Sequence, residues 1–259
     1  MKILRLGCLL ALLVPASALA ATSVSGDISG SWPLAGSPYI VDGDVTVAVG
    51  DSLEIAAGVE VHFNGRFVFT VFGSLLANGL EDNPILFTRA NATDESRGRG
   101  IRFENAATEQ SILRYCIVEY GYAENGVYDS SYEDRGGGVY VSQSDVVIEY
   151  SIFRHNTASA GGGIYISNGS IPLVVRNSAF YDNAAVEAGF NGSGGGGINV
   201  QDASEQVVIQ NNLIYFNSFS GGNVNFEGGG GVTLHNTSVK FVNNTVYRNS
   251  SPKGSGLHL

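Results

Sequence analysis

Short stretches that alternate apolar and polar side chains recur along the second half of the chain, and glycine clusters separate them. Each of five glycine clusters precedes an apolar–x–apolar triplet, as in residues 136–141 (GGGVYV). A second motif, which ends in asparagine, lies between the clusters, as in residues 148–156 (IEYSIFRHN). Alternation with a period of two among β-branched and aromatic residues predicts short β-strands, and no segment has the pattern of a helix of three turns. The six-residue motifs begin at Gly136, Gly161, Gly195, Gly229 and Gly254.

The two motifs together form a structural repeat. Successive glycine clusters lie 25, 34, 34 and 25 residues apart, and a unit of this size with several strands is one coil of a solenoid. Long and short repeats differ in the number of residues between the asparagine and the next glycine cluster, so we expect loops to be inserted at a single corner of the coil. Residues 38–88 hold less regular strands, and residues 89–100 are polar and predicted to loop out. We therefore expect about eight coils and a rod of roughly 40 Å at the usual strand spacing.

Stacking of coils places equivalent residues above one another at about 4.8 Å, and the resulting ladders differ in chemistry. Two inward ladders are apolar and a third is small. A corner ladder consists of asparagines, which tolerate left-handed backbone and can hydrogen-bond to the coils above and below. The apolar ladders are Val141, Ile166, Val200 and Leu234, and Val118, Phe153, Phe180, Ile214 and Val246. The small ladder is Cys116, Ser151, Ser178, Asn212 and Asn244, and the corner ladder is Asn156, Asn183, Asn217 and Asn249.

These motifs carry a resemblance to a known group of proteins. The glycine clusters and the Phe-x-x-Asn elements, complete at Phe153–Asn156 and Phe180–Asn183, resemble the repeats of chlamydial polymorphic outer membrane proteins and of right-handed β-helix proteins of the pectate-lyase-like superfamily. The resemblance implies an all-β, single-stranded right-handed parallel β-helix. Residues 21–100 are then the N-terminal cap and irregular first coils, and residues 101–259 are the regular repeats.

The two ends of the chain suggest processing and a missing neighbour. Residues 1–20 have a basic start, an apolar stretch at 6–14 and a small-x-small site at 18–20, which together predict a cleaved signal peptide and a secreted or outer cell-surface protein. No later stretch is long and apolar enough for a transmembrane helix. The sequence stops at Leu259, shortly after the fifth glycine cluster and within a coil. We therefore expect an incomplete solenoid, with further coils or a C-terminal partner domain outside this chain.

Charge and cysteine content narrow the function classes. The chain has 24 acidic and 14 basic residues and a net charge of −10, which disfavours binding to nucleic acid. Once the signal peptide is removed, Cys116 is the only cysteine, so no intrachain disulfide can form. We interpret Cys116 as a small core residue, because it falls in an inward ladder and has no histidine near it in sequence.

The sequence contains no recognisable catalytic constellation. Polygalacturonase-like relatives use clustered aspartates with a Gly-His-Gly segment, which is absent here, and no match to the calcium-binding acids and basic residue of pectate lyases is found. Most charged ladder positions have a structural interpretation as ion pairs between adjacent coils. Whether the protein is an enzyme is therefore left open by the sequence. The predicted pairs join Glu149 to Arg114 and Arg176, and Glu119 to Arg154.

Two outward ladders contain tyrosines that are candidate binding residues. Tyrosine has an apolar face and a polar tip, so exposed tyrosines on a flat sheet could stack on sugar rings. The alternative is that tyrosine simply suits an exposed strand. The first ladder contains Tyr140 and Tyr165, and the second contains Tyr181, Tyr215 and Tyr247.

The inserted loops are the other candidate site, because function concentrates on loops held by rigid scaffolds. The predicted loops are residues 122–135, 184–193 and 218–227. Calcium prefers several oxygen ligands, so the acids of the first loop form a candidate calcium site, although their spacing matches no recognised calcium loop. A solvated acidic loop is the alternative. The acids are Glu124, Asp129, Glu133 and Asp134.

Two function classes follow from these observations. The first is a secreted or cell-surface binding module for a polysaccharide or another cell-surface ligand, as in an adhesin. The second is a polysaccharide lyase or glycoside hydrolase of the pectate-lyase-like superfamily. The repeat type, the tyrosine ladders and the missing catalytic set favour the first class.

Overall fold

A computed structural model describes the chain from residue 21 onward, with short gaps. Within these residues it contains 27 strands and two short 3-10 helices, at Leu34–Gly36 and Asp94–Ser96. The described residues are 21–106, 108–123, 134–186, 194–220, 228–252 and 254–259. The strands are β1 Thr22–Asp27, β2 Gly30–Trp32, β3 Tyr39–Val47, β4 Ser52–Ile55, β5 Glu60–Phe63, β6 Phe69–Val71, β7 Ser74–Asn78, β8 Ile85–Arg89, β9 Ile101–Glu104, β10 Ser111–Arg114, β11 Cys116–Glu119, β12 Val139–Ser142, β13 Val146–Glu149, β14 Ile152–Arg154, β15 Thr157–Ala158, β16 Ile164–Ser167, β17 Leu173–Arg176, β18 Ala179–Tyr181, β19 Ala184–Val186, β20 Ile198–Gln201, β21 Val207–Gln210, β22 Leu213–Tyr215, β23 Ser218–Ser220, β24 Val232–His235, β25 Lys240–Val242, β26 Thr245–Tyr247 and β27 Leu257–His258.

The strands stack in parallel on three faces that wind around one axis. Face A has the order β2-β4-β7-β10-β13-β17-β21-β25. Face B consists of the first half of β3 followed by β5-β8-β11-β14-β18-β22-β26, and face C of the second half of β3 followed by β6-β9-β12-β16-β20-β24-β27. The chain passes A, B and C in turn, so the described residues form eight coils. The predicted single-stranded parallel β-helix of about eight coils is confirmed.

The interior of the solenoid contains the apolar ladders that the sequence predicts. Val141, Ile166 and Val200 are in register on face C and have no solvent exposure. On face B, the Phe153 and Phe180 rings stack with centroids 4.7 Å apart and an interplanar angle of 6°. Inward side chains pack against the other faces of their own coil and against the coils above and below, so stability accumulates along the axis from contacts between neighbouring coils.

The corner between faces B and C differs from the prediction in one respect. The ladder asparagines do not adopt the left-handed conformation; the residue before each one does, with φ of 56° at His155, 53° at Asp182, 55° at Phe216 and 52° at Arg248. The left-handed residue turns the chain, and the asparagine that follows is buried inside the turn. The amide is therefore used for hydrogen bonding between coils rather than for its tolerance of unusual backbone.

The buried asparagine ladder joins each coil to its neighbours through side-chain amides. Asn183 donates from Nδ2 to the carbonyl oxygen of Phe153 (2.9 Å) and to Oδ1 of Asn217 (2.9 Å). Its own Oδ1 accepts from the backbone N–H and from Nδ2 of Asn156, at 3.1 and 3.0 Å. The same pattern links Asn217 to Asn249. The predicted corner ladder is confirmed, and it satisfies buried polar groups in every coil that it crosses.

The long insertions all lie between faces B and C, as the spacing of the motifs predicts. The connection from β8 to β9 contains residues 90–100 of the predicted polar segment 89–100. The later connections contain the predicted loops 122–135, 184–193 and 218–227, but Ala184–Val186 and Ser218–Ser220 form strands β19 and β23 instead of loop. Next to this corner, β15, β19 and β23 form a separate three-stranded parallel sheet. The remaining corners have at most six residues between strands, so the largest variation in coil length falls at one edge of the solenoid.

Candidate functional site

The outer side of face B exposes more aromatic surface than the adjoining face C. Its strands carry two outward ladders, one of which holds Tyr181, Tyr215 and Tyr247 in register. We call these three residues the tyrosine column. Several large apolar side chains around it are also open to solvent, which marks the face as a candidate interaction surface. They are Tyr150 (46% exposed), Leu213 (48%), Phe216 (46%) and Tyr247 (43%).

The rings of the tyrosine column stack on one another along the solenoid axis. The centroids of Tyr181 and Tyr215 are 5.1 Å apart and those of Tyr215 and Tyr247 are 5.2 Å apart, with interplanar angles of 18° and 12°. The Phe216 ring meets Tyr215 edge-on at 5.4 Å. Because the rings largely cover one another's faces, a ligand along the column would meet ring edges and hydroxyl groups. Stacking of sugars on ring faces is therefore not the mode of contact that this geometry favours.

The environment of the column disfavours ionisation of its central hydroxyl, that of Tyr215. Burial raises the pKa of Tyr215, and the neighbouring hydroxyls of Tyr181 and Tyr247 and the carboxylate of Asp182 raise it further. At the N-terminal end of the column, Arg154 donates to the Tyr181 hydroxyl (3.2 Å) and is ion-paired with Glu119. The column therefore presents phenolic hydrogen-bonding groups at a regular spacing.

The prediction that Tyr140 and Tyr165 are exposed binding residues is wrong. Both side chains point away from the core but are covered, with 5% and 0% exposure. The rings stack on each other with centroids 5.6 Å apart and pack against Ala160 in a second apolar cluster. The guanidinium of Arg102 lies 3.9 Å from the centroid of the Tyr140 ring. Outward position in the strand pattern did not ensure access to solvent, because other parts of the chain lie over face C.

A polar network holds the covered tyrosines in place. Arg135 donates to the Tyr165 hydroxyl (2.6 Å), and this hydroxyl donates to Oε1 of Gln201 (2.5 Å). Arg102 is paired with Glu104 at 2.8 Å and donates to the backbone carbonyl of Arg135 at 3.4 Å. The network fixes residue 135 against face C and gives these tyrosines a structural role.

The predicted calcium site lies mostly outside the described residues. Glu124, Asp129 and Glu133 belong to a segment that the structure does not describe, and Asp134 is buried at 3% exposure. Among the residues that are described, no group of three or more His, Cys, Asp or Glu side chains could hold a metal ion. The calcium site therefore stays a prediction about the first inserted loop.

The predicted ion-pair ladders are present, and one of them is buried. Glu149 accepts hydrogen bonds from Arg114 (2.5 Å) and Arg176 (2.7 Å), and its side chain is 2% exposed. Burial disfavours ionisation of Glu149, but the hydrogen bonds and charges of the two arginines outweigh it and lower its pKa. Glu119 and Arg154 form the second pair.

We expect Glu149→Gln to lower the free energy of unfolding by roughly 1 to 3 kcal/mol at neutral pH, because both arginines lose a charged partner. A lowered pKa means that the carboxylate stabilises the fold above its unfolded pKa and that this contribution disappears as pH falls through the folded value. The difference between variant and wild type should therefore shrink below the ordinary pKa of 4.5. Urea titrations between pH 3 and 7 measure it. Glu54→Gln, at an exposed glutamate on face A, is the control. A difference that stays constant across this range would contradict the role of ionised Glu149.

A depression beside the tyrosine column was not anticipated from the sequence. It has a volume of about 420 Å³ and lies at the corner between faces A and B. We call it the corner groove. The sequence does contain a signal for this corner, because the residue before each member of the small ladder is the one that turns the chain. In the structure these turning residues have left-handed backbone and lie above one another. They are Tyr115, Tyr150, Asn177, Asn211 and Asn243. The groove is lined by Tyr150, Ser151, Ile152, Asn177, Ser178, Ala179, Asn211 and Leu213.

Bulky residues adopt the left-handed conformation at both edges of face B. Tyr115 and Tyr150 have φ of 48° and 52° at one edge, and Tyr120, His155 and Phe216 have φ of 60°, 56° and 55° at the other. This conformation costs an ordinary residue roughly 1–2 kcal/mol, and asparagine or glycine would avoid most of that cost. Local strain at a surface position is a recognised mark of function. Within the chain, these side chains stack on their neighbours in the next coil, with ring centroids 5.1 Å apart for Tyr115 and Tyr150 and 5.2 Å apart for Tyr120 and His155.

Comparison with known proteins supports the fold. A family model described as a right handed beta helix region matches residues 58–213. Searches among curated proteins and among solved structures each returned no match. In the part of the chain that the structure describes, no helix has the length and apolar character needed to cross a membrane.

Proposed function

Since the chain belongs to the right-handed β-helix family, we propose that it is a secreted or cell-surface binding module that binds a glycan on the outer side of face B. The observation that carries the proposal is the exposed aromatic surface formed by the tyrosine column and Phe216. The signal-like residues 1–20 support a location outside the cytoplasm.

The chemistry of face B fits a glycan better than a charged polymer. Ring edges offer apolar contact to the C–H groups of a sugar, and the phenolic hydroxyls offer donors and acceptors to its hydroxyls. A net charge of −10 for the whole chain disfavours approach of a polyanion. Coils repeat at about 4.8 Å, which is comparable with the length of one extended pyranose unit, so successive sugars can meet successive tyrosines.

The alternative, a polysaccharide lyase or hydrolase, has less support. Catalysis at this surface requires an acid or base that can reach the substrate. On face B, Arg154 binds Glu119, and on the adjoining face A, Arg114 and Arg176 bind Glu149. These charged groups are engaged with each other, so none of these pairs offers a ready acid or base. Incubation with neutral glycans and polyuronates, with and without calcium, tests the alternative: unsaturated products or new reducing ends would favour it.

We expect the double variant Tyr215→Ala, Tyr247→Ala to weaken glycan binding by at least about tenfold, because two aromatic contacts of roughly 1 kcal/mol each are lost. A glycan array with the full chain identifies ligands, and titration calorimetry on each hit measures the change. The double variant with phenylalanine at both positions separates the hydroxyls from the rings. Val49→Ala, at a residue 76% exposed outside the tyrosine column, is the matched surface control. Absence of binding to any glycan, or equal affinity of the variants and wild type, would refute the proposal.

A further inference from the structure

The corner groove owes its shape to one small side chain. The outward ladder next to the tyrosine column places Ala179 between Ile152 and Leu213, its partners on the adjacent strands. Both neighbours have large aliphatic side chains, and alanine between them leaves a gap along the sheet surface. The gap is the floor of the 420 Å³ depression. Any residue with a longer side chain at position 179 would fill it.

One wall of the groove carries two amides that the fold does not use. Asn177 and Asn211 are consecutive left-handed corner residues with φ of 52° and 58°. Within the described residues, neither side-chain amide makes a hydrogen bond, whereas the buried amides of Asn183 and Asn212 are fully engaged in the inter-coil ladders. An amide presents a donor and an acceptor side by side, which matches pairs of adjacent hydroxyls on a sugar.

The groove has no charged lining residue. All of its lining side chains are apolar, hydroxyl, phenol or amide groups. In a chain with a net charge of −10, an uncharged groove disfavours anionic ligands, because none of its lining residues supplies a cation. The exposed ring of Tyr150 closes the N-terminal end of the groove and stacks on Tyr115, with centroids 5.1 Å apart.

The groove and the tyrosine column run side by side along the solenoid axis. Asn211, Leu213 and Tyr215 alternate along one strand and its corner, so their side chains form adjacent rows on the same outer surface. Each row repeats once per coil, at about 4.8 Å. A linear polymer laid parallel to the axis therefore meets Asn177 and Tyr181 in one coil and Asn211 and Tyr215 in the next.

We propose that the corner groove is a binding site for an unbranched neutral glycan that lies parallel to the solenoid axis, between the amides of Asn177 and Asn211 and the tyrosine column. This inference rests on the proposed function and specifies its ligand class. The amides bind hydroxyl pairs of the sugar, and Ala179 provides the space that one sugar ring occupies.

Titration calorimetry with defined oligosaccharides tests the inference on the full chain. The probes are the hexamers of β-1,4-linked glucose, xylose and mannose, their dimers, and the hexamer of α-1,4-linked galacturonic acid. We expect at least one neutral hexamer to bind more tightly than its dimer, and the galacturonate hexamer to bind at least tenfold more weakly than that neutral hexamer. Preference for the galacturonate hexamer would overturn the inference.

Two groove variants locate the site. Ala179→Phe fills the groove and should weaken binding of the neutral hexamer at least tenfold. The double variant Asn177→Asp, Asn211→Asp adds two charges at positions where aspartate tolerates the left-handed backbone, and should also weaken binding several-fold. Circular dichroism and the midpoint of thermal unfolding verify that each variant is folded. Should Ala179→Phe fail to fold, the aspartate variant decides the matter.

The outcomes separate this inference from the broader proposal. If both groove variants bind like wild type while Tyr215→Ala, Tyr247→Ala loses affinity, the corner groove is not the site and glycan binding by the tyrosine column stands. If no oligosaccharide binds and the array is also negative, both proposals fail. Loss of affinity in the groove variants together with preference for a neutral hexamer supports the site.

Discussion

Replacement of Asn183 by alanine should lower the free energy of unfolding by about 3–5 kcal/mol, because it leaves several buried polar groups without partners. The carbonyl of Phe153 loses its side-chain donor, and the backbone N–H and Nδ2 of Asn156 lose their acceptor. Asn183 is 1% exposed, so water cannot replace these partners without rearrangement. Urea denaturation followed by circular dichroism measures the change.

One further variant tests whether the hydrogen-bond donors of the amide matter, and a second variant at an exposed asparagine is the control. Asn183→Asp keeps the shape of the side chain but places an acceptor opposite the carbonyl of Phe153 and Oδ1 of Asn217. We expect it to destabilise at least as much as alanine at neutral pH. Asn78→Ala, at an exposed asparagine that ends a strand on face A, should change stability by less than about 0.5 kcal/mol. Equal stability of Asn183→Ala and Asn78→Ala would show that the ladder contributes little.

Replacement of Gly162 by alanine should destabilise the protein by about 3 kcal/mol, because the added methyl group has no space between coils. A Cβ at this position would lie 2.4 Å from the carbonyl oxygen of Ala184 and 2.6 Å from that of Gly196. Both obstacles are backbone atoms of the next coil, so relief requires the coils to separate. We expect a lower midpoint of thermal unfolding, measured by calorimetry.

The last glycine cluster provides the control for this prediction. A Cβ on Gly256 would meet only Cγ1 of Val246, at 3.7 Å, which is an ordinary contact. Gly256→Ala should therefore leave stability nearly unchanged. The position equivalent to Gly162 in this coil already holds Ser255, which is exposed. A loss of stability in Gly256→Ala as large as in Gly162→Ala would show that close approach of coils does not decide the effect.

The repeat pattern predicted how coils stack because stacking depends on local periodicity. Residues at equivalent positions, such as Phe153 and Phe180, fall in register with no further information. The charges at Arg114, Glu149 and Arg176 were assigned to one ladder for the same reason, and they pair as expected. Burial of Glu149 could not be predicted, since it depends on how closely the two arginines lie over the carboxylate.

The candidate site was only partly accessible to sequence reasoning. The tyrosine column was identified from its ladder, but the stacking of Tyr181, Tyr215 and Tyr247 along the axis depends on side-chain rotamers. The corner groove exists because Ala179 is smaller than its neighbours in adjacent coils. This difference in size produces a depression only where the backbone of the corner forms its walls.

The sequence by itself determined the parallel β-helix, its eight coils, its inward ladders and the corner that accepts the long insertions, because each follows from a repeating order of apolar, glycine and asparagine residues. The tertiary structure alone decided which outward side chains reach solvent. Tyr165 and Tyr247 occupy outward positions of the same kind, yet one has no exposure and the other is 43% exposed. A strand pattern tells which side of a sheet a residue occupies, whereas exposure depends on whether a distant segment of the chain covers that side.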